Sequence, residues 1–230
     1  MSLDKKGLFA QRLSSLKTKL PTGSNLLIVS KTRSIEDIKL YYELGHRDFG
    51  ENRVQELLEK AELLKITCPE IRWHMIGHLQ TNKINQLFSV PNLWAIHSVD
   101  DRELLEKMLK AKERLQNPVH LFLQFNTSKE DEKSGFEDYA ALKSAGELIQ
   151  DNSKLKLQGL MTMGTLRTEN FDLEARRCFK SLNELKDNLS NDLKLKLETS
   201  MGMSQDYQIA LEEGSNWIRI GTMLFTEAHE

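Results

Sequence analysis

Short apolar segments alternate along the chain with amphipathic segments of helical spacing. The run of four apolar residues from Leu26 to Val29 is one of eight short segments with apolar character or β propensity. Segments that are apolar throughout are typical of strands buried on both faces of a parallel sheet. We predict strands over residues 25–30, 47–50, 71–77, 93–99, 119–126, 155–163, 193–200 and 217–221, of which the second is short and polar.

The connecting segments place apolar residues three and four positions apart, as helices with one buried face do. Ile35, Ile38, Tyr41 and Leu44 share such a face, and Gly45 follows where glycine commonly ends a helix. We predict helices over residues 35–44, 54–64, 100–115, 136–149, 171–189 and 204–213, and a further helix over about residues 8–20, before the first strand.

Alternating strands and helices imply a parallel sheet, and eight such units predict an α/β fold of the (β/α)₈ TIM barrel type with an additional N-terminal helix. A doubly wound open sheet is the alternative. It predicts a G-x-G-x-x-G motif after the first strand, which the sequence lacks. Because no linker-like stretch interrupts the pattern, we expect one domain over residues 1–230.

Composition narrows the class of protein further. Apolar residues make up 39% of the 230 positions, enough for one large core. The 32 basic and 34 acidic residues nearly cancel, which argues against nucleic acid as the main partner. The chain has no secretory signal or long apolar run, so we expect no membrane segment. Cys68 and Cys178 lie far apart, and we expect reduced thiols in a cytoplasmic protein.

Candidate chemistry lies at the carboxyl ends of the predicted strands, where barrels of this type carry their sites. Lys31 follows the first strand, Ser200 ends the seventh, and Gly221 and Thr222 follow the eighth. The last two loops of such barrels often hold phosphate, and a desolvated lysine amine attacks carbonyl groups. A solvated lysine and ordinary turns would explain each segment alone. Together they suggest pyridoxal phosphate, joined to Lys31 as a Schiff base.

His74 and His78 have a His-x-x-x-His spacing that is similar to that of a zinc pair. The motif lacks the glutamate after the first histidine and lies on a strand-to-loop segment rather than on a helix. We therefore predict no metal site and expect His74 to pack at the barrel mouth.

Six segments give the chain a specific resemblance. They are SKTRSIEDI, GHRDFGENRVQE, WHMIGHLQTNK, GLMTMG, SMGMSQDY and WIRIGTMLF. In this order, from Leu26 to Phe225, they resemble the YggS/PROSC-type pyridoxal-phosphate homeostasis proteins. The resemblance implies a barrel like the N-terminal domain of alanine racemase, with the cofactor on Lys31. It also implies cofactor contacts from Asn52, His74, Ser200, Arg219, Gly221 and Thr222. The sequence departs from the family pattern at Thr226, where a glycine is common.

The same resemblance implies a protein that buffers pyridoxal phosphate and delivers it to apo-enzymes, without an assigned reaction. Arg219 would face the ring nitrogen, and an arginine cannot give that nitrogen an aspartate's protonating environment. An amino-acid racemase or lyase is the alternative. A racemase needs a second acid–base group, and alanine racemase closes its site with a further domain. The chain ends about nine residues after the last predicted strand, so we expect an open barrel mouth and a monomer.

Overall fold

Eight parallel strands close into one barrel in the order of the sequence. The computed structural model describes residues 4–130, 132–165 and 168–225. The strands are β1 (Asn25–Val29), β2 (Asp48–Glu51), β3 (Arg72–Met75), β4 (Leu93–Val99), β5 (Val119–Gln124), β6 (Leu155–Met161), β7 (Glu198–Ser200) and β8 (Trp217–Ile220). β8 pairs with β1 in parallel register, with Leu27 opposite Arg219. The predicted TIM barrel is confirmed.

Helices surround the barrel and pack their apolar faces against it. They are α1 (Lys5–Lys17), α2 (Ile35–Glu43), α3 (Val54–Leu64), α4 (Ile84–Leu87), α5 (Arg102–Ala111), α6 (Tyr139–Ile149), α7 (Phe171–Leu193), α8 (Tyr207–Glu212) and α9 (Thr222–Phe225). The N-terminal helix is confirmed but begins three residues earlier than predicted, because the Asp4 side chain caps it by accepting the Gly7 N–H. Phe9 of α1 stacks on Tyr41 of α2.

The barrel interior forms a packing unit separate from the main core. Leu27, Ala95, Phe122, Met161 and Trp217 cluster inside the barrel, while the larger core lies between the strands and the helices. Such an interior is a packed layer and not a pore. It forms the floor beneath the carboxyl ends of the strands.

Strand β2 is polar because its charged side chains are paired. All four of its residues are buried, and the strand begins one residue later than predicted. Asp48 contacts Arg72 and His74, and Glu51 contacts Lys60. A buried charge is tolerated only with such partners, so a polar sequence could still form a central strand.

The predicted seventh strand, residues 193–200, is wrong over its first half. Helix α7 continues to Leu193 and ends at Lys194, which adopts the left-handed conformation with φ 58° and donates its N–H to Ser190 O. Leu193, Leu195 and Leu197 alternate with lysines as in a strand, but they pack on the core from the helix end and the loop. The alternation of leucines and lysines therefore reflects the packing of a helix end and a loop, not a strand.

Two further expectations concern single features. Cys68 and Cys178 are both buried and unpaired, so the prediction of free thiols is confirmed. Across the described residues, none of the helices combines the length and the apolar character needed to cross a bilayer.

Acidification is expected to destabilise the fold through buried histidines. Burial lowers the pKa of His46 to about 4, although its Nε2–H donates to Asp48 O at 2.8 Å. Between about pH 6.5 and pH 4 the unfolded chain binds a proton that the folded protein does not. Stability is therefore lost as the pH falls through this window. From about pH 7.5 to about pH 5, His46 alone should lower the free energy of unfolding by about 2 kcal/mol.

Urea unfolding of the wild type and of His46→Gln at both pH values measures this effect. Glutamine keeps a side-chain N–H donor but does not titrate, so the variant should lose less stability on acidification. His74 and His97 are also buried and stay in both proteins. An equal loss in the two proteins would show that His46 does not carry the effect.

Candidate cofactor site

A cavity of about 780 Å³ opens at the carboxyl ends of the strands. Loops after β1, β2, β3, β6, β7 and β8 line it, and its polar lining includes Lys31, Asn52, Ser204, Arg219, Gly221 and Thr222. Its volume lies in the range of small-molecule sites. The structure thus brings five of the seven predicted site residues to one cavity; His74 and Ser200 do not line it.

Lys31 reaches the cavity from a strained turn after β1. Thr32 has φ 63°, which is unusual for a β-branched residue, and its backbone N–H donates to Glu56 Oε1 at 2.8 Å. Lys31 is exposed, and its Nζ has no hydrogen-bond or ion-pair partner among residues 4–130, 132–165 and 168–225. The amine is therefore available to a ligand.

A buried lysine on α3 holds this turn in place. Lys60 Nζ donates to Ser30 O at 2.8 Å, to Glu51 Oε1 at 2.9 Å and to Glu56 Oε1 at 2.8 Å. Burial raises the pKa of Glu51, and the Lys60 ammonium opposes that rise. One ammonium thus ties the ends of β1 and β2 to the helix, and through Glu56 it supports Thr32.

Sequence reasoning did not identify this support. Two signals for it were present: a glutamate at the end of a buried strand, and Glu56 and Lys60 four residues apart on one helix face.

The loop after β2 comes so close to the loop after β3 that no side chain fits between them. A Cβ built at Gly77 would lie 2.2 Å from Asn52 O, so only glycine permits this contact. The close approach places Asn52, half-buried, in the cavity wall. No partner for the Asn52 amide occurs within the part of the chain that the structure describes.

Hydroxyl groups and a glycine line the opposite side, after β7 and β8. Gly221 and Thr222 begin the last loop, and a Cβ at Gly221 would lie 3.2 Å from Val29 O, so a side chain there would be crowded. Ser204 is half-buried beside them, in a turn closed by the Met203 N–H donating to Asp206 Oδ1 at 2.6 Å. These groups resemble the hydroxyls and exposed backbone that bind phosphate in other proteins.

Ser204 is a lining residue that sequence reasoning passed over in favour of Ser200. Ser200 was predicted to end the seventh strand and Ser204 to begin the next helix; β7 does end at Ser200, but the Ser200 side chain is buried. Ser200 Oγ contacts Arg219 Nη1 at 2.9 Å and His97 Nδ1 at 2.8 Å below the cavity. The strand end itself was predicted correctly, but the sequence did not show that the Ser200 hydroxyl lies buried below the cavity.

Arg219 forms the floor of the cavity. Its Nη1 donates to both oxygens of Ser200, and its Nη2 donates to Thr162 O at 2.9 Å. Burial lowers the pKa of Arg219 to about 10, which still leaves the guanidinium cationic at neutral pH, and the Asp206 carboxylate opposes the shift. A guanidinium has five N–H groups, so Arg219 keeps donors for a ligand.

Asp206 adds an unsatisfied acceptor to the wall near Arg219. It lines the cavity, and its Oδ2 is buried without a hydrogen-bond partner among the described residues. Burial raises the pKa of Asp206, and the Met203 N–H and the Arg219 charge oppose the rise. A buried orphan oxygen is costly, so a donor from a ligand would stabilise it.

The two histidines of the His-x-x-x-His motif point to different partners. His74 lies wholly inside the barrel and contacts Asp48, whereas His78 is exposed and contacts Asp100 Oδ2 at 2.9 Å. His74 is therefore in the barrel interior rather than at the mouth, where the sequence had suggested it. Its ring packs against Trp94 and Trp217, which lie at the amino-terminal ends of β4 and β8, far from the mouth.

Comparison with known proteins decides the family. The sequence model of the alanine racemase N-terminal domain matches residues 6–229. The pyridoxal phosphate homeostasis protein of Schizosaccharomyces pombe is 37% identical over 205 residues, which cover 88% of this chain and 84% of that protein. The human protein of the same name is 39% identical over 209 residues, which cover 88% and 76%. The chain belongs to the pyridoxal phosphate homeostasis protein family.

Membership in this family confirms the resemblance carried by the six sequence segments. A solved structure of family member PipY from Synechococcus elongatus PCC7942, with PLP bound, matches with a TM-score of 0.84 and 33% identity over 94% of this chain and 99% of that one. Thr226, the departure from the family pattern, lies outside the described residues.

Proposed function

We propose that this protein binds pyridoxal phosphate covalently through Lys31 and serves in homeostasis of this cofactor by holding and delivering it. The observation that carries the proposal is the Lys31 amine, which has no partner among the described residues and lies in the same cavity as Asn52, Ser204 and Arg219. The relatives' name, and the PLP-bound structure of PipY, support the choice of ligand.

The donor set of the cavity fits this cofactor. An aldehyde needs a free amine, which Lys31 provides, and a phosphate needs hydroxyl and backbone donors, which Ser204 and the Gly221–Thr222 loop provide. The heteroaromatic nitrogen of the cofactor needs a hydrogen-bond donor, and Arg219 has N–H groups left for this role. The orphan oxygen of Asp206 beside Arg219 is a further sign that the cavity is built for a polar occupant.

Lys31 performs the exchange on which holding and delivery depend. When bound, the cofactor supplies an aldehyde for amines and a ring that can withdraw electrons. Lys31 Nζ would hold the cofactor through its aldehyde carbon, and an incoming amine would compete with Lys31 for that carbon. Because Lys31 is exposed at the mouth, an incoming amine can reach it.

Arg219 and the loops fix the orientation during this exchange. The Arg219 guanidinium stays cationic and can donate a hydrogen bond to the ring nitrogen, but it cannot accept a proton from it. Ser204 and Thr222 retain the phosphate while Lys31 is exchanged. The protein therefore favours transfer of the intact cofactor over chemistry that needs a protonated ring.

Three parts of the proposal rest on the sequence alone. Apo forms of pyridoxal-phosphate enzymes are the proposed recipients, the cytoplasm the proposed location, and a monomer the proposed state. Each stays a prediction.

A transfer assay tests the delivery function. The protein is loaded with pyridoxal phosphate and mixed with an apo-enzyme in the presence of a phosphatase that destroys free cofactor. We expect recovery of the recipient's activity at a rate that free cofactor cannot match under these conditions. If activity returns no faster than with free cofactor, the protein does not deliver it.

Removing the two hydroxyls, in Ser204→Ala/Thr222→Ala, is expected to weaken retention of pyridoxal phosphate without preventing the covalent link. Each hydrogen bond to a charged group contributes about 1.5–3 kcal/mol, so the dissociation constant should rise at least about tenfold. Equilibrium dialysis measures it. Pyridoxal, which has no phosphate, is the control ligand, and its affinity should not change. A parallel loss for both ligands would place the phosphate elsewhere.

A further inference from the structure

A chain of side-chain hydrogen bonds crosses the barrel interior beneath the cavity. Arg219 Nη1 lies 2.9 Å from Ser200 Oγ, which lies 2.8 Å from His97 Nδ1. His97 Nε2 lies 3.0 Å from His74 Nδ1, and His74 Nε2 lies 3.1 Å from Asp48 Oδ1. Five strands, β2, β3, β4, β7 and β8, each supply one of these residues. The chain thus runs from the amino-terminal end of the barrel to the cavity floor.

A single set of hydrogen-bond directions joins an ionised Asp48 to Arg219 through two neutral histidines. Asp48 can then only accept, so His74 donates from Nε2 and accepts at Nδ1. His97 must donate from Nε2 to His74 and accept at Nδ1, which makes the Ser200 hydroxyl the donor to His97. Ser200 Oγ accepts in turn from Arg219, which can only donate. Both histidines carry their hydrogen on Nε2.

The surroundings of the chain agree with this assignment. Burial lowers the pKa of His97 well below its usual value, and His74 and Arg219, which face it, add to that effect. Burial lowers the pKa of His74 as well, against the opposing Asp48 and alongside Arg72.

The far end of the chain is anchored as an anion. Burial alone would raise the pKa of Asp48, but the hydrogen bonds from His74 and Arg72 and the Arg72 charge outweigh it and hold the pKa below its usual value. Since His74 is neutral, the Arg72 guanidinium is the cation that keeps Asp48 ionised.

Aromatic side chains seal the chain from water. The His97 ring stacks on Phe122 with centroids 4.3 Å apart, and the His74 ring packs against Trp94 and Trp217. In such a water-free setting an unpaired polar group is costly, so each member depends on its neighbours. An apolar interior would avoid this cost, and among these five residues Arg219 is the one that lines the cavity.

We propose that Ser200, His97, His74 and Asp48 are positioning residues that hold the Arg219 guanidinium toward the ring nitrogen of the cofactor. This inference rests on the proposed function. Because the Ser200 hydroxyl donates its hydrogen to His97, Ser200 presents a lone pair to Arg219. The guanidinium is thus held in place, and its remaining N–H groups can donate to the cofactor. Without the hydrogen bond to His97, the Ser200 hydroxyl hydrogen could rotate toward the Arg219 guanidinium and displace it.

The first test uses the protein without ligand. Nitrogen-15 chemical shifts of histidine side chains report which ring nitrogen carries the hydrogen. At neutral pH, His74 and His97 should both be neutral with the hydrogen on Nε2. A cationic ring, or a hydrogen on Nδ1 of either residue, would overturn the proposed chain.

The second test compares two ligands in a set of variants. Pyridoxal phosphate is paired with its analogue that has a C–H in place of the ring nitrogen. In Ser200→Ala and His97→Leu, the dissociation constant for pyridoxal phosphate should rise about tenfold, as expected for one hydrogen bond to a charged group. That for the analogue should stay within about twofold, because it cannot use Arg219 in this way.

Two further variants make the comparison specific. His97→Asn keeps an acceptor for the Ser200 hydroxyl and should largely restore affinity for pyridoxal phosphate. His120→Leu is the matched control, since His120 contacts Gln158 and lies outside the chain; it should bind as the wild type does. Ser200→Ala removes a single oxygen, so it provides the test if His97→Leu does not fold.

The outcomes separate this inference from the proposed function. Equal losses for both ligands, or no loss for either, would overturn the positioning role while leaving covalent binding at Lys31 intact. If the wild type forms no borohydride-reducible link with either ligand, the proposed function fails and the inference fails with it.

Discussion

Lys31→Ala is expected to abolish covalent retention of pyridoxal phosphate. Lys31 Nζ lies in the cavity without a partner in the part of the chain that the structure describes, and alanine leaves no nucleophile for the aldehyde. The wild type, incubated with cofactor and dialysed, should keep a visible absorbance band that borohydride removes. The variant should show no such band and should lose its cofactor on dialysis.

Two companion variants make this result interpretable. Lys31→Arg keeps the positive charge but not the nucleophile, and it should behave like the alanine variant. Lys83→Ala removes a different lysine, in the 3₁₀ turn Thr81–Lys83 between β3 and α4, and should retain the band. A reducible band that persists in Lys31→Ala would contradict the assignment of this residue.

Lys60→Met is expected to lower the free energy of unfolding by about 3–5 kcal/mol, as for other buried pairs that lose one partner. The variant leaves Glu51 fully buried with its charge uncompensated, and it leaves Ser30 O with the Arg33 N–H alone as donor. It also removes the support of Glu56 beneath Thr32, so cofactor retention should weaken as well. Urea unfolding with matched dialysis measures both effects.

The double variant Glu51→Gln/Lys60→Met separates charge burial from packing. Glutamine removes the buried charge and can still accept from Ser30, so the double variant should recover a large part of the lost stability. Lys65→Met is the control, since its pair with Glu62 is exposed and contributes little. A double variant less stable than Lys60→Met would contradict the account of this cluster.

Periodicity and apolar runs predicted the barrel because each strand buries both faces. The short, polar β2 was also predicted, one residue before its observed position. The alternation at residues 193–197 failed for a physical reason. Leucines at a helix end and in the following loop can contact the core with the same spacing as a strand, and a left-handed Lys194 is not visible in the pattern.

The cavity was predictable in part, through residues that follow strands directly. Lys31, Gly221 and Thr222 follow the last residues of β1 and β8 and could be placed from the strand pattern. Ser204 could not, because its position depends on a turn closed by Asp206. His74 and Ser200 were recognised as important residue types but assigned to the cavity. Whether a side chain reaches the cavity depends on which face of its strand points inward and on its depth in the barrel. Both are set only when the barrel closes.

The polar floor of the cavity depends on residues that are distant in sequence. His74, His97, Ser200 and Arg219 come from separate strands, and their contacts exist because the barrel brings those strands into register. Spacing along the chain therefore carries no signal for them. The same holds for Lys60, whose contacts with β1 and β2 arise from the packing of α3.

The most direct test of the central claim is to locate the cofactor on the chain. The wild-type protein is loaded with pyridoxal phosphate, reduced with borohydride and digested, and the modified peptide is identified by mass spectrometry. We predict a single major adduct on Lys31. An adduct on another lysine, or no adduct at a stoichiometric level of cofactor, would contradict the account.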